Sequence, residues 1–263
     1  MGTRIPPATS KDGTKIAYDI VGHGPVVILV LGALNSRKSG AELAKLLASR
    51  FTVISYDRRG RGDSTDTAPY APQREVEDVA ALIDEVGGPV YLYGHSSGAA
   101  IALEAAIKMR KKVRKLAIYE APYALGGDAR KAANEYDRLL KKLLASGRNG
   151  DAVALFVRVA GVSEKQIQAM RRLPMWRGLE AMAPTLAYES YVLGEAHSLP
   201  TALLASITTP TLVMHGGAGA PSMRDVAQAI SEAIPNAQLR MLAGQTHGVR
   251  PKALAPVLAE FFS

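Results

Sequence analysis

The chain has no cysteine, which excludes disulfides, thiolate metal centres and a cysteine nucleophile. It has no long hydrophobic run either. The longest apolar stretch, Val26 to Leu34 with one glycine, is far too short to span a bilayer. The opening residues, Met1-Gly2-Thr3-Arg4-Ile5-Pro6-Pro7, lack the apolar core of a signal peptide, and Pro6 stands where a myristoylation motif wants Ser or Thr. The five histidines form neither an H-E-x-x-H pattern nor another close metal-binding pair. No linker composition, internal repeat or low-complexity tract interrupts the chain. The expectation is a cytoplasmic protein with no metal, no other cofactor and no membrane attachment.

Negative charge is in deficit, with 24 acidic against 32 basic residues and a formal net charge of +8. The densest basic run is Lys108-Met109-Arg110-Lys111-Lys112-Val113-Arg114-Lys115. A nucleic-acid site would interleave aromatic side chains with such a run or belong to a recognisable binding module, and neither is present. The run closes a predicted helix, where cations favour the helix dipole and water solvates them. It is read as a solvated face, so no nucleic-acid partner is expected.

With 263 residues, nearly half of them hydrophobic, the chain can bury a sizeable core in one large domain or two small ones. Strand and helix patterns alternate along its first half. Thr14 to Ile20 alternates polar and apolar residues, as a half-buried strand does. Val26–Leu31 and Phe51–Tyr56 are continuous apolar runs, as in strands covered on both faces. Helical spacing covers Ser36–Ser49 and Glu75–Val86, and a further strand runs from Val113 to Tyr119. From about Ala121 to Thr208 the pattern is almost wholly helical, with candidate helices at Asp128–Ala145, Gly150–Ala160, Ser163–Arg172 and Leu179–Leu193. The alternation resumes with a strand at Pro210–His215, a helix at Ser222–Ala233, a strand at Ala237–Leu242 and a helix at Pro251–Phe262. This order implies an α/β fold: a doubly wound, mostly parallel sheet built from residues 1–120 and 209–263, with residues 121–208 inserted as a helical cap.

The most informative segment is Gly94-His95-Ser96-Ser97-Gly98. The β-forming run Pro89-Val90-Tyr91-Leu92-Tyr93 precedes it, and the helix-forming run Ala99 to Ala106 follows. In that context G-x-S-x-G is a strand-to-helix elbow that lifts a serine hydroxyl above the sheet. A side chain at either glycine would clash with the neighbouring strand or helix. The N–H of Ser97, at the helix N-terminus, points toward a developing oxyanion. A serine hydroxyl is a poor nucleophile without an adjacent base.

On these motifs and their order the chain resembles the α/β-hydrolase superfamily along almost its whole length. The ordered set is Gly32-Ala33 after an early strand, Asp57-Arg58-Arg59-Gly60-Arg61-Gly62-Asp63-Ser64 after the next, the serine elbow, a helical cap, and a late histidine in Gly244-Gln245-Thr246-His247-Gly248. The nearest likeness is to small esterase-like members with a cap. The resemblance implies Ser96 as nucleophile and His247 as base, since the family order is Ser, acid, His. It implies an oxyanion hole from the N–H groups of Ser97 and Ala33, with Leu34 the next candidate; Gly32 can equally serve only to turn the chain. His95 is expected to point away from the apex, His215 to pack at its strand end, and His23 and His197 to lie in an early turn and the cap. Asp57 and Asp63 belong to a structural hydrogen-bonding turn.

The acid departs from the family pattern. Gly219, in Gly216-Gly217-Ala218-Gly219, holds the place where the family usually carries Asp. Some superfamily members, including a branch of the haloalkane dehalogenases, take the acid from the end of the preceding strand, where this chain has Glu120. Glu120 is therefore the expected acid, with a cap-hinge salt bridge as its alternative role and Asp225 as runner-up.

Dehalogenases and epoxide hydrolases of the superfamily use Asp at the elbow, so Ser96 argues against both and favours acyl transfer. The expected activity is hydrolysis of small or medium apolar carboxylic esters through an acyl-enzyme, by a monomer or homodimer whose partner is a small-molecule ester. Leu34, Trp176 and Met182 are the candidate substrate contacts, although Trp176 and Met182 equally suit packing between cap helices. Two alternatives stay open. One is another Ser-His enzyme of the fold, such as a C–C hydrolase, lactonase, perhydrolase or hydroxynitrile lyase. The other is a hydrolase-like ligand-binding protein with weak turnover.

Overall fold

The computed structural model describes residues 5–263. Residues Met1–Arg4, which open the stretch that lacks a signal-peptide core, lie outside the described residues. A small antiparallel pair, β1 (Ala8–Thr9) and β2 (Lys15–Ile16), leads into a seven-stranded sheet. Its strands are β3 (Tyr18–Gly22), β4 (Val26–Val30), β5 (Thr52–Tyr56), β6 (Val90–His95), β7 (Val113–Tyr119), β8 (Thr211–Gly216) and β9 (Ala237–Leu242). The spatial order is β3-β5-β4-β6-β7-β8-β9. Only β3 runs antiparallel, against β5; every other pairing is parallel.

The strand period of two builds the core on both faces. From β4, Ile28 and Val30 share a buried cluster with Val79, Leu82, Leu103 and Ile230. Those residues come from α2 (Pro72–Glu85), α3 (Ser97–Lys108) and α10 (Pro221–Ala233). The alternate residues Val27 and Leu29 join Leu43, Leu47, Leu254 and Leu258 on the other face. Those come from α1 (Ala41–Leu47) and α11 (Pro251–Phe262). Each fully buried side chain of this kind contributes about 1.5–3 kcal/mol, which is why the central strands read as continuous apolar runs.

Between β7 and β8 the chain adds no strand to this sheet. It forms α4 (Gly126–Ala145), α5 (Asn149–Val159), α6 (Glu164–Met170), α7 (Met175–Met182), α8 (Leu186–Leu193) and α9 (Thr201–Leu204). These cap helices have an apolar cluster of their own, including Leu140, Val153, Ile167, Trp176 and Leu186. Ala33, from the loop after β4, is buried in the same cluster.

Three expected elements differ from those observed. The strand expected over Thr14–Ile20 is two pieces. The Ala17 N–H donates to the Ser64 hydroxyl (2.9 Å) and the Lys15 N–H to the Thr65 hydroxyl (2.8 Å), so this stretch pairs with a loop between the pieces. The helix expected over Ser36–Ser49 begins with a 3-10 turn at Arg37–Gly40. The helix expected over Leu179–Leu193 is α7 and α8, separated by a 3-10 turn that contains Pro184, whose ring removes a backbone donor.

Candidate active site

The sheet reverses its winding between β4 and β6, which lie side by side with β5 beyond one and β7 beyond the other. Crevices above the carboxyl ends of strands at such a switch are where ligands bind in open α/β sheets. Gly32-Ala33-Leu34 follows β4, Ser96 follows β6, and Glu120 follows β7.

Ser96 sits at the elbow apex with φ 55° and ψ −131°. Crowding explains the glycines. A Cβ on Gly94 would lie 2.6 Å from Ala99 Cα in α3, and one on Gly98 would lie 2.1 Å from the Val30 carbonyl oxygen in β4. Leu34 and Glu120 also have positive φ, so three of the five such non-glycine residues among those described belong to this site. Backbone strain of about 1–3 kcal/mol per residue persists only where surrounding structure enforces it.

The side chains of Ser96, His247 and Glu120 form one chain of hydrogen bonds. Glu120 Oε2 lies 2.8 Å from His247 Nδ1, and His247 Nε2 lies 3.1 Å from Ser96 Oγ. A second bond, from the Gly216 N–H to Glu120 Oε1 (2.8 Å), orients the carboxylate. Glu120 is only 2% exposed. Burial alone would raise its pKa; the His247 ring and the Gly216 N–H outweigh it and hold the carboxyl below its usual range. An ionised carboxylate only accepts, so the proton sits on Nδ1 and Nε2 is left to accept the Ser96 hydroxyl.

Position 219, where the family pattern expected Asp, faces Glu120. A Cβ built there would stand 3.1 Å from Glu120 Oε1 and 3.8 Å from Thr246 Cα. The Glu120 carboxylate thus occupies the space a side chain at 219 would enter. Asp225, the runner-up, lies in α10 and pairs with Arg224.

The loop after β4 abuts the elbow, since a Cβ on Gly32 would lie 2.8 Å from Ser96 Cβ. The Ser97 N–H opens α3, where the first turn has no intrahelical acceptor. Leu34 packs against the cap cluster. Trp176 is buried inside that cluster, its indole N–H donating to Glu180 Oε1 (2.9 Å) beneath the Arg171 guanidinium. Met182 is half-buried, and its carbonyl accepts from the Thr185 hydroxyl (2.8 Å). The structure therefore brings Ser96, Ser97, Ala33, Glu120 and His247 together, and sets Trp176 within the packing between cap helices. A cleft of about 610 Å³ between α2, α3, α8 and α9, lined by Val76, Ile101 and Leu204, includes none of the three hydrogen-bonded side chains. Among the described residues no group of three or more His, Asp or Glu side chains is placed to hold a metal ion.

A sequence profile of the Alpha/beta hydrolase family matches residues 17–257. The chain belongs to that family. An α/β hydrolase from Sphaerobacter thermophilus is 48% identical, covers 98% of this chain and 100% of its own, and superposes with a TM-score of 0.88. The uncharacterised hydrolase YraK of Bacillus subtilis is 31% identical over 136 residues, 49% of this chain, and the chain spans about half (50%) of that relative's length. An esterase from Exiguobacterium antarcticum, 20% identical over the whole of both chains with a TM-score of 0.77, shares the fold.

In this α/β hydrolase several supporting residues escaped the sequence reading. His95 had no expected part beyond its place in the elbow; its Nε2–H donates to the His247 carbonyl (2.9 Å), with the two rings 5.1 Å apart. Burial, with the neighbouring His247 ring, pushes the His95 pKa down to about 4. The Tyr119 hydroxyl donates to the Thr246 carbonyl (2.6 Å) and fixes the same loop. Both residues end strands beside the site, and that placement was the only available signal. His215 is buried, with Nδ1 3.3 Å from the Gly216 carbonyl, and His197 bonds Asp137 in the cap. No helix of the described residues is long and apolar enough to cross a membrane.

Proposed function

We propose that this α/β hydrolase is a serine carboxylesterase that cleaves small or medium apolar esters through an acyl-enzyme. The observation that carries the reading is the unbroken path from Ser96 Oγ through the His247 ring to the buried Glu120 carboxylate. Ser96 Oγ attacks the ester carbonyl carbon as its proton passes to His247 Nε2, and Glu120 stabilises the resulting imidazolium. The N–H groups of Ala33 and Ser97 receive the oxyanion. The tetrahedral intermediate collapses, and the departing alkoxide takes the proton from His247. Water, deprotonated by the same ring, then attacks the acyl carbonyl and releases the acid.

Two further features support ester chemistry. Ser96 stands where a nucleophile needs a base, and the loop carrying Ala33 and Leu34 leans on apolar cap residues, as suits an apolar acyl group. The occupied acid position favours turnover over passive binding, because Glu120 supplies the carboxylate that Gly219 lacks.

The test is a fluorophosphonate probe with a p-nitrophenyl ester series of increasing acyl length. One adduct at Ser96, a nitrophenol burst followed by steady turnover, and loss of about 10⁴–10⁶ in kcat in Ser96→Ala are expected. An adduct mapped elsewhere, or wild-type turnover in Ser96→Ala, overturns the reading.

A further inference from the structure

The turn after β5 carries three arginines, Arg58, Arg59 and Arg61, each no more than 2% exposed. Burying a guanidinium costs several kcal/mol unless it is fully paired, and all three are paired. Arg59 is held by Asp78 and Asp12, away from the site. Arg58 is held by Glu75 and Glu189.

Arg58 and Arg61 both tie the cap to the core through Glu189, and Arg61 differs in reaching the carbonyl of Gly32. Its Nε donates to the Thr185 hydroxyl (3.2 Å) and one terminal nitrogen pairs with the Glu189 carboxylate. Thr185 and Glu189 both belong to the cap, four residues apart, at and just beyond the turn into α8. The other terminal nitrogen donates to the Gly32 carbonyl (2.9 Å).

That carbonyl belongs to the same peptide unit as the Ala33 N–H. In a trans peptide the C=O and N–H point in opposite directions. Fixing one end of the unit therefore aims the other. A charged donor on the carbonyl also polarises the amide and strengthens the N–H as a donor.

We propose that Arg61 is a positioning residue that aims the Ala33 N–H at the oxyanion and, through Thr185 and Glu189, makes that aim depend on the docked cap. This rests on the acyl-transfer reading above. Arg61 does not touch the substrate; it acts through the Gly32–Ala33 peptide. The cap in this arrangement is part of the catalytic geometry as well as a cover for it.

The experiment compares Arg61→Met, Arg61→Lys, Glu189→Gln and the control Arg59→Lys. All are titrated with the fluorophosphonate so that rates refer to folded, reactive sites. Losing one oxyanion donor costs about 10²–10³ in kcat, so misaiming one should cost roughly 10- to 100-fold in Arg61→Met, with KM within about threefold. Arg61→Lys keeps the buried positive charge, but its three donors sit on one nitrogen and cannot span partners placed around a guanidinium fork, so it should fold and fall between Arg61→Met and the wild type. Glu189→Gln should shift kcat in the same direction, and Arg59→Lys should leave kcat per titrated site unchanged.

The decisive readout is a trifluoromethyl ketone, which adds to the serine and places an oxyanion in the same hole. Its inhibition constant should rise in proportion to the fall in kcat/KM across the Arg61 variants, a correlation that a purely structural role would not produce. If Arg61→Met does not fold, Arg61→Lys with the ketone carries the test. Unchanged kcat and ketone affinity in titrated Arg61 variants overturn the proposal alone. Failure of the wild-type protein to label at Ser96 overturns the esterase reading, and this proposal with it.

Discussion

Replacing Glu120 by Gln keeps the shape of the acid and removes its charge, and the geometry dictates what must go wrong. The carboxylate accepts at both oxygens, from the Gly216 N–H at Oε1 and from His247 Nδ1–H at Oε2, each at 2.8 Å. An amide can accept at only one. If its NH2 faces Gly216, two donors oppose each other in a buried site. If its NH2 faces His247, it donates to Nδ1 and drives the ring proton onto Nε2, where the ring can no longer take the Ser96 proton. Either state lacks the negative charge that stabilises the imidazolium. Turnover should therefore fall by roughly 10²–10⁴, or about 3–5 kcal/mol of transition-state stabilisation, with little change in KM. Steady-state kinetics on a p-nitrophenyl ester, normalised by fluorophosphonate titration, measures this. Position 219 supplies the complement. A side chain there would enter the space beside Glu120 Oε1, so Gly219→Asp alone should impair turnover by crowding two carboxylates together. Glu120→Gly suits the positive φ of 47° at that residue; combined with Gly219→Asp it should recover at least about tenfold over Glu120→Gly alone. Turnover within about threefold of wild type in Glu120→Gln would refute the reasoning.

His247→Ala should fold and lose several orders of magnitude in ester turnover, on the order of 10⁴ or more. His215→Asn should keep most of it, because the His215 ring bonds the adjacent Gly216 carbonyl and not Ser96; the reverse result would mean that the base is misassigned. The folded chain holds His95 near 4, below the 6.5 of an unperturbed imidazole. Between those values the unfolded chain binds the extra proton, so stability is lost as pH falls from about 6.5 through about 4, by on the order of 3 kcal/mol. Urea unfolding of wild type and His95→Gln across that range should show the wild-type advantage shrinking as pH falls; parallel curves would contradict the assignment.

The sequence by itself carried the elbow and the order of strands and helices. Close-packed turns and buried parallel strands leave local signatures: Gly94 and Gly98 because strand β4 and helix α3 pass too close for a Cβ, and continuous apolar runs because both faces of the sheet are covered. Those signatures made the elbow and the alternation of strands and helices legible. Glu120 was expected as the acid from the family resemblance and its place at a strand end, with no local signature of its own. The family to which the chain belongs follows from the same elements. What the sequence could not carry was every relation set by distance through space. Arg61 was legible only as a member of a hydrogen-bonded turn, and Glu189 as a charge on a helix. Their pairing across more than a hundred residues, with the Gly32 carbonyl between them and the site, exists only because the cap folds back over the sheet. Trp176, the lone tryptophan, read equally well as pocket or core; tertiary packing decided for the core, because its indole N–H finds Glu180 inside the cap. The contact between His247 and Glu120 joins residues 127 apart in sequence. Chain order made that pair expected, but only the convergence of the loops after β7, β8 and β9 at one end of the sheet set its 2.8 Å separation and put the Glu120 carboxylate 3.1 Å from where a Cβ at 219 would stand.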